Sequence, residues 1–178
     1  MAKRGVIIPN SLCESIQGRY FLGQTNVLSF SDGRNAWGGL FNPIDSQVKL
    51  FVNIFTITNI SGTDFLAEIW VNSQMPGKGT ASNMVMPSNM TLSMIPRPVV
   101  ELNFAQEIAD VPNDGVNPFD RVIPAITTVV AEKDGRFIIP SGGSFAIFLV
   151  GQEISCLQAR IAFGWWEEKA RNMGRSRY

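Results

Sequence analysis

A chain of 178 residues is long enough for one domain with a sizeable core. The chain is apolar, with 45% hydrophobic and 17% charged residues, and its formal net charge is zero. The absence of histidine excludes Ser–His and Cys–His catalysis and the commonest transition-metal ligand, and two cysteines are too few for a zinc cage. These counts predict a protein that is not an enzyme and that carries no cofactor or structural metal.

Residues 1–18 are predicted to form an N-terminal arm. The stretch "GVII" is a short apolar run that Pro9 breaks, and no amphipathic period follows it. Apolar residues in a terminal arm need a docking site on their own body or on a neighbour. The run is too short for a signal peptide or a membrane span, so we expect synthesis in the cytoplasm without a leader. A cell-surface or spore-surface location after release is compatible with that expectation.

Residues 19–106 show the alternation and turn signals of short strands. The first stretch, "RYFLGQTNVLSF", predicts two strands, and the turn-rich "SDGRNAWGG" that follows is predicted to be a loop. Residues 47–59 carry apolar side chains on both faces, which indicates a central strand, and with residues 65–73 they predict a β-hairpin. Residues 74–98 are predicted to be an exposed excursion with one short strand near 90–95, and 99–106 to be a further strand.

The C-terminal half continues the pattern. "EIADVPNDGVNPFDR" reads as a loop, residues 122–132 as a strand and "KDG" as a turn. In "FIIPSGGSFAIFLVG" (137–151), proline ends one strand and the glycine pair turns the chain into the next. Residues 155–166 predict a last strand with Trp165 and Trp166 on opposite faces, one inside the core and the other under an arm or partner. About two turns of helix are expected after it.

About eight or nine strands with turns at intervals of about 8–12 residues predict an all-β fold. We expect a single jelly-roll-like β-sandwich over residues 19–166, preceded by the arm at 1–18 and followed by a basic tail at 167–178.

The charges are unevenly distributed along the chain. Residues 1–4 and 167–178 together contain six Lys or Arg and two Glu, whereas residues 5–166 contain nine Lys or Arg and 13 Asp or Glu. Cationic ends on an anionic body favour contact between the ends of one copy and the body of another. Solvated tails that favour solubility are the alternative interpretation.

Several binding chemistries are open from the residues alone. The loop from Asp110 to Asp120 is rich in Asp and Asn, which are ligands for Ca²⁺ but also ordinary turn residues. Trp37 and Trp166 are the candidates for stacking on a sugar ring. Nucleic-acid binding is not expected, because the body is acidic and has no aromatic and basic strand platform. Cys13 and Cys156 are predicted to be reduced thiols, with a disulfide as the alternative.

The segments "SQVKLFVNIFTITNISGTDFLAEIWVNSQMPG" and "GRFIIPSGGSFAIFLVG" resemble an uncharacterised family of small proteins from spore-forming Firmicutes. They are more loosely similar to jelly-roll subunits of virions and of bacterial surface appendages. The first likeness implies no known activity, and the second implies a self-assembling structural subunit.

We therefore predict a non-enzymatic structural subunit that forms a homopolymer, as a filament, appendage or shell, through its terminal arm and sheet edges. The alternative is a carbohydrate-binding or surface-binding module that recognises a glycan or cell-surface component. The predicted assembly residues lie near the two ends of the chain: Val6, Ile7, Ile8, Cys13, Trp166, Lys169, Arg171, Arg175 and Arg177.

Overall fold

The computed structural model describes residues 8–152 and 156–170. These residues form one helix and twelve strands, with the bounds α1 Asn10–Ile16, β1 Tyr20–Gln24, β2 Leu28–Phe30, β3 Asn35–Phe41, β4 Val48–Asn59, β5 Phe65–Val71, β6 Thr80–Ala81, β7 Val85–Pro87, β8 Glu101–Ile108, β9 Val116–Ile123, β10 Thr128–Ile139, β11 Ser144–Val150 and β12 Leu157–Lys169. The strands form two antiparallel sheets that pack as a β-sandwich, which confirms the all-β prediction.

The strand pairing is nested from the ends of the chain towards its middle. The first sheet has the order β10-β4-β12-β1-β7, with β2 also paired to β12, and the second has the order β6-β8-β3-β11-β5-β9. Strand β1 pairs with β12, β3 with β11, β4 with β10 and β5 with β9. Successive pairs alternate between the two sheets, so the chain resembles one long hairpin wound around the core.

The alternation of β4 and β12 builds most of the first sheet's share of the core. The predicted inner face of β12, from Leu157 to Trp165 at every second residue, is at most 3% exposed throughout. Each fully buried Leu, Ile or Phe stabilises the fold by about 1.5–3 kcal/mol relative to an exposed one. Strand β4 lies between β10 and β12, as its two apolar faces predict.

The predicted hairpin over residues 47–73 is wrong, because β4 belongs to the first sheet and β5 to the second. The connection between them crosses from one sheet to the other. Asn59 is 1% exposed and its side-chain amide donates to the carbonyls of Thr63, Ile123 and Pro124. These bonds satisfy buried backbone groups at the crossing and hold the two sheets together at this end.

Three further predictions of local structure are also wrong. Residues 122–132 are not one strand, since β9 ends at Ile123 and β10 begins at Thr128. The "KDG" stretch is a bulge inside β10, where the register against β4 shifts between Glu132 and Phe137. The excursion at 74–98 contains β6 and β7 rather than a strand near 90–95.

Part of the predicted arm is a helix. Helix α1 has seven residues, packs beside β1 and buries Glu14. A seven-residue helix lacks the apolar period by which longer helices are recognised. Within the described ranges no helix has the length and apolarity needed to cross a membrane.

The predicted helix after Trp166 is wrong as far as the chain is described, because β12 continues to Lys169 in register with β4. The remainder of the predicted basic tail, from residue 171, lies outside the described residues.

The β10 bulge predicts a specific sensitivity to substitution. Gly135 has φ +71° and its Cα faces the Trp166 ring so closely that a Cβ would overlap it, whereas Gly33 has φ +67° and open space around it. We expect Gly33→Ala to lower the free energy of unfolding by about 1 kcal/mol through backbone strain alone. Gly135→Ala should lower it by about 3 kcal/mol or more, because overpacking is added to the same strain.

Urea denaturation of the two variants measures the difference directly. Equal losses in the two variants would show that the bulge does not pack on the indole ring.

Candidate assembly surface

The two ends of the chain leave the sandwich at one corner of the first sheet. Strands β1 and β12 are antiparallel neighbours with Tyr20 opposite Trp166, so the start of one strand lies beside the end of the other. Ile8, at the start of the described residues, is 50% exposed, and Lys169 is also exposed. The predicted assembly residues Val6, Ile7, Arg171, Arg175 and Arg177 lie outside the described residues.

Helix α1 is fixed to this corner by polar contacts. The Arg19 guanidinium donates to the Glu14 carboxylate at 2.6 Å, and Glu14 is 5% exposed. This hydrogen bond raises the pKa of Arg19, so its guanidinium stays charged. The Ser15 and Ser88 hydroxyls, 2.7 Å apart, share a hydrogen bond that joins the helix to the segment after β7. Removal of residues before the helix therefore leaves its attachment intact.

Glu167 fastens the same corner from the other side. Its carboxylate is 7% exposed and accepts hydrogen bonds from the backbone amides of Val99 and Val100 and from the Trp165 indole. Burial raises the pKa of the Glu167 carboxyl above its ordinary value of 4.5, and the N–H donors oppose that rise. The group acts as a structural tie between β12 and the approach to β8.

Trp166 lies on the face of the first sheet opposite to the core and is covered there. Its ring stacks on Phe51 with centroids 5.1 Å apart and lies under Gly135 of the β10 bulge, leaving it 2% exposed. The expectation of a covered ring is met, and the cover is the chain's own bulge. With its ring enclosed, Trp166 offers no open face to a neighbour or to a sugar. Cys13 is half-buried and Cys156 exposed, both as free thiols.

Trp37 lies in β3 rather than in the predicted loop, and it is 3% exposed. It belongs to a second apolar cluster, with Ala105 and Phe148, on the outer face of the second sheet. The segment 74–79 covers this cluster: the Trp37 indole donates to the carbonyl of Pro76 at 2.7 Å, and Gly79 packs on the ring. Stacking of a sugar on Trp37 would require this segment to move away.

The other half of that outer face is uncovered, and the sequence interpretation missed it. Leu66, Trp70 and Val150 are half-buried and Val122 is 63% exposed, although all four lie on adjoining strands. We call this surface, together with Glu68 and Asp120 between its apolar residues, the open face. Its signal in the sequence was the alternation of β5, which places Trp70 and Glu68 opposite the core residues.

Charge is segregated between the two sheets. The strands of the second sheet contain four carboxylates (Glu68, Glu101, Glu107 and Asp120) and one cation, Arg121. Arg121 lies over the Phe119 ring, 4.7 Å from its centroid, on the edge strand β9. The strands of the first sheet contain five cations and four carboxylates. The second sheet is therefore the acidic side, and the basic ends of the chain leave from the other sheet.

A comparison with protein families matches residues 2–172 to a family of unknown function, DUF6143. The chain belongs to the DUF6143 family. The resemblance to an uncharacterised family is thereby confirmed, while the bacterial source and the likeness to appendage and virion subunits stay predictions. No curated protein matches the chain.

In this DUF6143 chain, the predicted calcium loop is divided between a connection and a strand. Asp110 precedes β9, whereas Asp120 lies within β9 and accepts a hydrogen bond from the Asn117 side chain at 2.8 Å. Among the described residues, no three Cys, Asp or Glu side chains come close enough to hold one metal ion. The loop therefore gives no geometric support to a calcium site.

The buried Glu167 predicts a pH dependence of stability. Because its pKa is raised on folding, its favourable contribution is complete below about pH 4.5 and is lost as the pH rises through the folded pKa. Glu167→Gln keeps a neutral group of the same shape at every pH. The free energy of unfolding of the native chain minus that of the variant should fall between about pH 4 and pH 8 in urea titrations. A difference that rises with pH would contradict the assignment.

Proposed function

We propose that this DUF6143 protein is a non-enzymatic structural subunit that assembles with copies of itself. The observation that supports it best is the open face, where the half-buried Leu66, Trp70 and Val150 lie beside Val122, which is 63% exposed. Contiguous exposed apolar surface of this kind marks interaction sites in soluble proteins. On the covered half of the same sheet, residues 74–79 bury the apolar cluster of Trp37, Ala105 and Phe148.

We infer from the nested strand pairing that the sandwich has jelly-roll connectivity. Eight strands form the four nested pairs, and each sheet takes two of them in alternation. The fold supplies a rigid body with its ends at one corner, which suits repeated contacts between identical subunits. Fold alone does not establish function, so the proposal depends on the surfaces.

The sheet edges are less suited to assembly than the sequence suggested. The long edge strands β9 and β10 lie on one side of the sandwich, and β9 contains Pro118, which cannot donate a ladder hydrogen bond. The Lys133 ammonium, in the β10 bulge, lies 4.7 Å from the Phe119 ring centroid and 5.6 Å from that of Phe55. An inward-pointing charge, a bulge and a proline are devices that prevent edge-to-edge pairing.

Carbohydrate binding is a second candidate, and its best-placed residue is Trp70. Of the four tryptophans, all within the described residues, Trp70 alone is half-exposed, and its indole donates to Glu68 at 2.9 Å. A half-exposed ring beside a carboxylate is suited to stacking and hydrogen bonding with a sugar. A glycan array with the native chain and Trp70→Ala tests this alternative, and binding that the substitution abolishes would support it.

Deletion of residues 1–8 tests assembly. The deletion removes Lys3, Arg4 and the apolar run but keeps α1 and its Glu14–Arg19 pair, so the fold should remain. Light scattering after size exclusion, with negative-stain imaging, should show multimers for the full chain and monomers for the shortened one. Circular dichroism serves as the folding control. A full chain that is monomeric under all conditions would contradict the proposal.

Lys133 gives a separate prediction about the edge strand β10. In the chain lacking residues 1–8, Lys133→Met removes the inward charge but keeps the apolar stem over the phenylalanines. We expect new association that grows with concentration, because the β10 edge is no longer protected. Lys49→Met, on the interior strand β4, is the matched control and should stay monomeric. Identical light scattering from both variants would show that Lys133 does not guard the edge.

A further inference from the structure

We infer that the open face is the binding site for residues 1–8 of a second copy of this chain. The inference deepens the proposed function and rests on it, since it assigns the two surfaces that meet in the assembly. It is carried by the match between the chemistry of that face and the composition of the segment.

The charges of the two surfaces are opposite. Glu68 and Asp120 are cross-strand neighbours on β5 and β9, and Glu101 lies on β8 of the same sheet. Like charges directly opposite each other destabilise a sheet pair, so this face gains stability when a cation lies between them. Residues 1–8 contain Lys3 and Arg4 and no carboxylate side chain.

The apolar residues of the two surfaces also correspond. A cavity of about 190 Å³ lies at one end of the open face, lined by Leu66, Val122 and Val150 with Asp64 at its rim. A second cavity, near the opposite end of the sheet, has a volume of about 420 Å³ and includes Phe41, Met75 and Glu101 in its lining. Val6, Ile7 and Ile8 are apolar residues next to the basic pair, so one segment can fill an apolar cavity and neutralise a carboxylate.

The covered half of the sheet shows that this surface accepts an extended segment. Residues 74–79 lie over Trp37 and are held there by its indole hydrogen bond and by glycines that pack on Trp37 and Ile108. The neighbouring open face presents Trp70 with the same outward orientation on β5. A second segment beside the first would complete the cover of the outer face.

The placement of the two surfaces makes the contact a head-to-tail one. Residues 1–8 precede α1 and β1 in the chain, and β1 is a strand of the first sheet, whereas the open face belongs to the second sheet. Contact between two different surfaces leaves one N-terminal segment and one open face free each time a copy is added. The contact therefore propagates into a filament or closes into a ring.

Charge reversal on the exposed carboxylate of the open face tests the acceptor. Asp120→Lys replaces an attraction by a repulsion, and it should weaken self-association by about tenfold. This side chain is exposed, so the change does not disturb the core. Glu132→Lys, at an exposed position of β10 in the first sheet, is the matched control and should leave association within about twofold.

Restoration of the charge pair tests the donor. The variant Lys3→Glu, Arg4→Glu should associate poorly with itself but should bind the Asp120→Lys variant, and analytical ultracentrifugation of the mixture measures this. Recovery in the mixture, with none when the Glu132→Lys chain is the partner, is the expected result. Equal behaviour of the two partners overturns the inference.

The outcomes separate this inference from the proposed function. A chain whose assembly is unaffected by the change at Asp120 retains the proposed function and loses this site. Docking of residues 1–8 on their own body would leave the full chain monomeric, which contradicts both. A synthetic peptide of residues 1–8 should also bind the chain that lacks them, and failure of Asp120→Lys to weaken that binding would overturn the site.

Discussion

The antiparallel pairing of β1 with β12 is the constraint on which the rest of the structure depends, because it places the first and last strands side by side in the first sheet. It closes the nested series of strand pairs, and it brings the residues before and after the sandwich to one corner of the first sheet. Because β12 also pairs with β4 and β2, this one strand joins the ends of the chain to the centre of the sheet. The opposite sheet is thereby left without chain ends, and its outer face is partly open.

The corner is stabilised by buried ionised or polar groups rather than by apolar packing alone. Glu14 is buried against Arg19, and Glu167 is buried against two backbone amides and an indole. Each of these carboxylates accepts hydrogen bonds from donors of the same chain, so the cost of burying it is offset within the fold. They hold α1 and the approach to β8 in place.

The sequence predicted which residues are buried better than it predicted which strands are neighbours. Alternation in β12 correctly assigned its core face, because a period of two reports only the side on which a residue lies. It carries no information on the partner strand, so β4 and β5 were placed in one hairpin although they belong to different sheets. Partner residues on β4 and β10 are 70 to 89 positions apart in the sequence, from Thr58 with Thr128 to Leu50 with Ile139, and those on β5 and β9 are 45 to 58 apart.

The candidate site was predicted less well, for reasons that concern individual residues. Trp37 lies among glycines, which indicate a loop, yet Gly39 is required by its close approach to Ala146 in the next strand. The cover over Trp37 comes from residues 74–79, far away in the sequence, so its burial could not be read locally. Trp70 was not among the predicted binding residues, because its half-exposed ring is evident only once β5 is placed with that side chain on the outer face of its sheet.

The central claim is that residues 1–8 of one copy lie on the open face of another. Zero-length carbodiimide cross-linking of an equal mixture of ¹⁴N-labelled and ¹⁵N-labelled chains, followed by mass spectrometry, tests it most directly. The account predicts mixed-isotope links that join Lys3 to Glu68 or Asp120. Links confined to one isotope, or mixed links that join Lys3 to Glu132 on the first sheet, would contradict it.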